Sequence, residues 1–132
     1  MDIFSRLKEK KILLIDDDEW VRNSLSLFFE DEGCNLMPFE TAEEGMEALK
    51  KQSYDIIISD YRLPGMDGLE FFKRIQEFHP HAMKILISGY GNEGVFSEAR
   101  KIGIDAFIEK PLTGKAIEEC LSCLVEEGEQ VN

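Results

Sequence analysis

The stretch Ile12-Leu13-Leu14-Ile15-Asp16-Asp17-Asp18 decides the fold. Four consecutive apolar residues read as a strand buried on both faces, and the run stops abruptly in three carboxylates. The pattern recurs at Asp55-Ile56-Ile57-Ile58-Ser59-Asp60, a second apolar run that delivers one more Asp at its C-terminal end. In open parallel sheets, ligands bind in the crevice beyond the carboxyl ends of the strands. Two strands that finish in Asp therefore crowd their charges into one pocket. A pair of such charges at ~4 Å repels by roughly 4 kcal/mol at an effective dielectric near 20. That cost requires a cation, and an all-oxygen ligand set favours Mg2+.

Outward from this stretch, short apolar runs alternate with amphipathic segments, the pattern of repeated βα units. Strands are expected over 11–15, 35–39, 55–59, 84–87 and 106–108, and helices over 19–32, 42–51, 69–77, 95–102 and 114–126. In the first helix Val21, Leu25, Phe28 and Phe29 recur at helical spacing and should face the sheet. Thr41-Ala42-Glu43-Glu44 is a capping-box signature that opens the second. Pro38 costs the second strand a ladder hydrogen bond, which suits an edge. Right-handed crossovers then give the order 2-1-3-4-5, an α/β flavodoxin-like (βα)5 domain with helices on both faces. In that order Asp16, Asp17 and Asp60 share one rim. The expected organisation is a lead-in over 1–10, one domain over 11–127 and a frayed polar tail over 128–132.

Composition narrows the partners. The 132 residues carry a net charge of −12, which disfavours non-specific binding to DNA or to anionic membranes. No apolar run approaches the ~18 residues of a membrane span. The first ten residues lack the apolar region of a signal peptide, so the cytoplasm is the default. Of the three cysteines, Cys34, Cys120 and Cys123, the last two form a C-x-x-C inside a helical pattern, without a second pair or a nearby His for zinc. All three read as reduced residues packed against the core.

The other strand ends complete the rim. After Asp60 the chain reads Tyr61-Arg62-Leu63-Pro64-Gly65-Met66-Asp67-Gly68, where Pro64, Gly65 and Gly68 mark a structured turn. The fourth strand ends in Ser88-Gly89, and the fifth is followed by Glu109-Lys110-Pro111. Carboxylates, a hydroxyl and an ammonium thus converge from four strand ends, and metal-assisted phosphoryl transfer needs those parts. Asp18 reads as a helix cap and Asp67 as a loop-shaping residue. His79 and His81, flanking Pro80, read as solvated loop residues.

Taken together, Leu14-Ile15-Asp16-Asp17, the segment from Asp60 to Gly68, Ser88-Gly89 and Lys110-Pro111 resemble the receiver domain of two-component response regulators, of the chemotaxis-regulator kind. The likeness runs from about residue 11 to 124. It implies that Asp60 accepts a phosphoryl group from a phosphohistidine on a sensor histidine kinase or histidine phosphotransfer protein, or from a small acyl phosphate. It implies Asp17 as a direct Mg2+ ligand, Asp16 as a ligand through water, and Asp60 with the backbone carbonyl of Arg62 completing the protein's share. Lys110 would pair with the phosphoryl oxygens and Ser88 would hydrogen-bond to one. The Lys110–Pro111 bond would be cis, and self-dephosphorylation slow. Ser88 and Phe107 would form the switch, altering the surface built by 95–102, 106–108 and 114–126 for a downstream effector protein or fused output domain. Direct nucleic-acid binding and membrane contact are not implied. Arg62 and Tyr90, two residues beyond Asp60 and Ser88, are expected to flank the hydrolytic water and tune the phosphorylated lifetime.

Some positions depart from that pattern. Ser88 stands where the family often has Thr, and Phe107 where it often has Tyr. Gly89, Gly91 and Gly94 make the loop after the fourth strand permissive. Two other readings remain open at this level. Asp16-Asp17-Asp18-Glu19-Trp20 offers the Asp-x-Asp start of a haloacid-dehalogenase-type phosphatase, although Trp20 replaces the expected Thr or Val and a cap domain is lacking. A receiver-like binding module that never uses phosphate is the other.

Overall fold

The computed structural model describes residues 3–89 and 93–131, with side chains through residue 125. Its elements are α1 (Ile3–Leu7), β1 (Lys11–Ile15), α2 (Glu19–Asp31), β2 (Asn35–Phe39), α3 (Ala42–Lys51), β3 (Ile56–Asp60), α4 (Gly68–Ile75), β4 (Met83–Ser88), α5 (Glu93–Lys101), β5 (Ala106–Glu109) and α6 (Gly114–Val131). The five strands are parallel, in the expected order β2-β1-β3-β4-β5. Pro38 sits on the edge strand β2, opposite Leu14.

The apolar runs lie on the central strands because both of their faces are covered. Side chains alternate between two cores. Ile12, Leu14, Ile56, Ile58, Ile85 and Ile87 pack toward α1, α2 and α6. Leu13, Ile15, Ile57 and Leu86 pack toward α3, α4 and α5. Strand register then builds the rim. Ile15 aligns with Ser59, so Asp16 and Asp60 leave the sheet side by side. Asp60 aligns with Ile87, and Ser88 with Glu109, which brings the ends of β4 and β5 level with them.

Local capping fixes where the helices begin. Asp18 accepts the Trp20 and Val21 N–H groups at 2.9 and 3.4 Å and opens α2. Thr41 Oγ1 accepts from the Glu44 N–H at 3.1 Å, and Asp67 from the Glu70 N–H at 2.8 Å.

Several boundaries differ from the sequence reading. The segment read as a lead-in contains α1, whose Ile3, Phe4 and Leu7 are buried. Phe4 meets Phe28 and Phe29 edge-on, with ring centroids 5.6 and 6.1 Å apart. The α6 backbone runs to Val131, five residues beyond the expected helix end at 126. Asp60, Ser88 and Glu109 are the last residues of their strands rather than lying beyond them. All three cysteines are free, but Cys123 is exposed rather than packed on the core. Burial pushes the Cys120 thiol up to about 11, in keeping with a packing role.

Candidate functional site

Asp60 occupies the end of β3 and is 1% exposed. Its Oδ2 accepts from Lys110 Nζ at 2.8 Å and its Oδ1 from the Arg62 backbone N–H at 3.3 Å. Asp16 is also buried, and its Oδ1 accepts from the Asp18 N–H at 2.9 Å. Asp17 is exposed at the mouth. One carboxylate oxygen from each of Asp16, Asp17 and Asp60 lies within 4.8 Å of the others. The sequence-predicted acidic rim is therefore assembled, with a lysine on one of its members.

Three carboxylates facing one ammonium leave excess negative charge. Burial raises Asp16 to about 6, against an ordinary 3.8, and the charges of Asp60 and Asp17 add to the rise. The Asp18 N–H and the Lys110 ammonium oppose it. Burial pulls Lys110 down, but its hydrogen bond and ion pair with Asp60 outweigh that and leave it raised. Lys110 is thus a firm cation at neutral pH, although its side chain is 44% exposed.

Backbone packing aims these groups. The Gly68 N–H donates to the Tyr61 carbonyl at 2.8 Å, and the Ser59 hydroxyl donates to the Asp60 carbonyl at 3.0 Å. A Cβ on Gly68 would collide with the Asp60 carbonyl oxygen, so only glycine lets α4 start against the phosphoacceptor candidate. Gly65 takes φ +77°, the left-handed conformation that the preceding turn requires. The Lys110 N–H donates to the Ser88 carbonyl at 2.9 Å, joining the ends of β4 and β5, and Lys110–Pro111 is cis. Ser88 is 1% exposed at the end of β4.

An open cleft of about 630 Å³ adjoins the cluster, lined by Asp17, Tyr61, Arg62, Leu63, Pro64 and Asp67. A separate apolar cavity of about 340 Å³, walled by Met46, Leu49, Ile75 and Phe78, shares no lining residue with the carboxylates. Phe107 is half-buried on β5, its ring 4.8 Å from Phe96 and 5.3 Å from the Arg100 guanidinium. Tyr90 and Gly91 lie outside the described residues.

Sequence reasoning missed two contributors to the site and one buried charge away from it. Gly68 was read only as a turn marker. Arg22 donates to the Asp16 backbone carbonyl at 2.9 Å. Near the opposite end of β4, away from the carboxylates, Lys84 is buried and donates to the carbonyls of His79 and Ala82 at 2.8 and 3.0 Å, a role in holding the fold. A charge within an apolar strand was the available signal for the last.

The family model described as the response regulator receiver domain matches residues 12–122. The chain belongs to that family. This receiver is 32% identical over 113 residues to the chemotaxis protein CheY of Halobacterium salinarum, covering 86% of this chain and 94% of that one. It is 30% identical over 118 residues to the transcriptional regulatory protein FixJ of Bradyrhizobium diazoefficiens, covering 89% of this chain but 58% of FixJ. Among solved structures, a CheY-like receiver domain from Methanospirillum hungatei superposes with a TM-score of 0.84 at 28% identity, over 93% of this chain and 98% of that one. The receiver spans little over half of that FixJ, and 27% of the Escherichia coli regulator GlrR. It is a receiver of two-component response regulators, built around a phosphorylatable aspartate, and this decides against the haloacid-dehalogenase reading. Among the described residues, no helix is long and apolar enough to cross a membrane.

Proposed function

We propose that Asp60 is the phosphoacceptor, and that Asp16, Asp17, Asp60 and the Arg62 backbone carbonyl hold Mg2+. The carrying observation is that Asp60 alone of the three clustered carboxylates also accepts the Lys110 ammonium. The donor set fits the ion: clustered carboxylate oxygens without Cys or His suit a hard cation, and one of them is buried at a cost in its ionised form. Bound Mg2+ would neutralise charge so that an anionic carboxylate and an anionic phosphoryl group can meet.

The donor is a phosphohistidine on a sensor histidine kinase or histidine phosphotransfer protein, or a small acyl phosphate. An Asp60 carboxylate oxygen attacks phosphorus from the open cleft. The phosphorus–nitrogen bond of the phosphohistidine, or the phosphorus–oxygen bond of the acyl phosphate, breaks, its electron pair stays on the imidazole or the departing carboxylate, and an aspartyl phosphate forms. Lys110 passes from the carboxylate to a phosphoryl oxygen, and the Ser88 hydroxyl donates to another. Drawing Ser88 inward vacates space for Phe107, which leaves its tilted contact with Phe96. The face formed by α5, β5 and α6 then changes for an effector protein or fused output domain. Arg62, on the wall of the cleft, shields the aspartyl phosphate from water and lengthens its life, with the cytoplasm as the setting. Incubation with a small acyl phosphate tests the reading. An Mg2+-dependent, EDTA-sensitive gain of one phosphate in intact mass supports it, and unchanged labelling in EDTA refutes the metal assignment.

A further inference from the structure

We propose that Arg22 is a positioning residue that fixes the mutual orientation of Asp16 and Asp17, and through them the affinity of the site for a divalent cation. The inference rests on the metal reading above and deepens it. Arg22 lies in the first turn of α2, and its side chain is only 17% exposed. Its Nη1 donates to the Asp16 carbonyl at 2.9 Å, while Nη2 stands 3.9 Å from Glu40 Oε1, just past β2.

Three hydrogen bonds hold Asp16. Its N–H donates to the Phe39 carbonyl at the end of β2, at 3.1 Å. Its side-chain Oδ1 takes the Asp18 N–H, and its carbonyl takes Arg22. The Asp16 carbonyl and the Asp17 N–H belong to one planar peptide unit. Any rotation of that carbonyl turns the Asp17 backbone with it. A carbonyl at this buried residue, deprived of its donor, gains by rotating toward water, because an unpaired buried acceptor is costly. Asp17 would then swing its carboxylate away from Asp16 and Asp60. A guanidinium suits this task, since it stays charged and presents several donors in a fixed plane. One edge can hold the carbonyl while another faces Glu40.

The test is an Mg2+ titration followed by the backbone amide signals of residues 16–18, with the rest of the spectrum reporting the fold. Arg22→Met keeps the apolar stem and removes the donors, and Arg22→Lys restores a cationic donor. Arg22→Met is expected to weaken Mg2+ binding roughly 10-fold, the lower end of the range for outer-shell partners of metal ligands. Arg22→Lys should recover part of that loss, and Glu40→Gln should bind as the unmodified protein does. Equal affinity in Arg22→Met and the unmodified protein overturns the proposal. So does a loss that Arg22→Lys fails to reduce, or one that Glu40→Gln reproduces in full. If the unmodified protein itself shows no saturable shifts at residues 16–18, the metal reading fails rather than the role of Arg22.

Discussion

Replacing Asp16 with Asn should stabilise the metal-free protein while impairing its response to Mg2+. Asp16 is buried, and its carboxyl is held at about 6 instead of 3.8. At about 1.4 kcal/mol per tenfold, the ionised form is disfavoured by roughly 3 kcal/mol once the pH is well above 6. The folded protein binds this proton more tightly than the unfolded chain does. This group's contribution therefore falls as pH rises from 3.8 toward 6, and the penalty is complete above that window. An Asn at 16 can still accept the Asp18 N–H through its amide oxygen, but it carries no charge and no titration. In EDTA near pH 7.5 the variant should gain up to about 3 kcal/mol, or roughly 10 °C in Tm. Near pH 4.5 the same linkage leaves a gap of only about 1 kcal/mol. Mg2+ at about 100 times its Kd would stabilise the unmodified protein by ~2.7 kcal/mol and the variant by less. Urea denaturation at both pH values, with EDTA or Mg2+, measures all four quantities. An Asn variant no more stable than the unmodified protein in EDTA near pH 7.5 would refute the reasoning, as would a gap independent of pH.

Three further outcomes follow from the packing. Gly68→Ala drives a methyl into the Asp60 carbonyl and should cost about 1–3 kcal/mol while slowing phosphorylation, measured by denaturation and by acyl-phosphate labelling. Phe4→Ala removes the ring that α1 lays against Phe28 and Phe29, and should cost about 3–5 kcal/mol with Mg2+ affinity unchanged. Ser88→Ala should leave Asp60 competent for labelling but weaken the signal at Phe107, seen as smaller phosphorylation-dependent shifts along β5.

The sheet and the acidic rim were legible because each rested on a physical anomaly. Apolar runs without alternation meant strands covered on both faces, and carboxylates ending those runs had no structural excuse beyond capping. Pro38 placed the edge, and parallel register did the rest, setting Asp16 beside Asp60. Lys110 was found because a lysine before proline at a strand end is poorly explained as surface. Contributions made through the backbone were invisible. An arginine in the first turn of an amphipathic helix looks like solvated surface, and the carbonyl that Arg22 holds has no letter in the sequence. The same holds for Gly68, whose role depends on another segment's carbonyl. Five residues of α1 do not complete two helical turns, so the periodicity that reveals longer helices never develops. Helix ends shifted by a few residues for the usual reason, that the final turns depend on tertiary contacts.

The central claim is that Asp60, and no other carboxylate in the cluster, receives the phosphoryl group. Peptide-level mass spectrometry after labelling with a small acyl phosphate and Mg2+, with borohydride reduction to trap the aspartyl phosphate, tests it most directly. The account predicts one labelled site, Asp60, and no label in a folded Asp60→Asn variant. Label on Asp16 or Asp17 in the unmodified protein, or full labelling of Asp60→Asn, would contradict it.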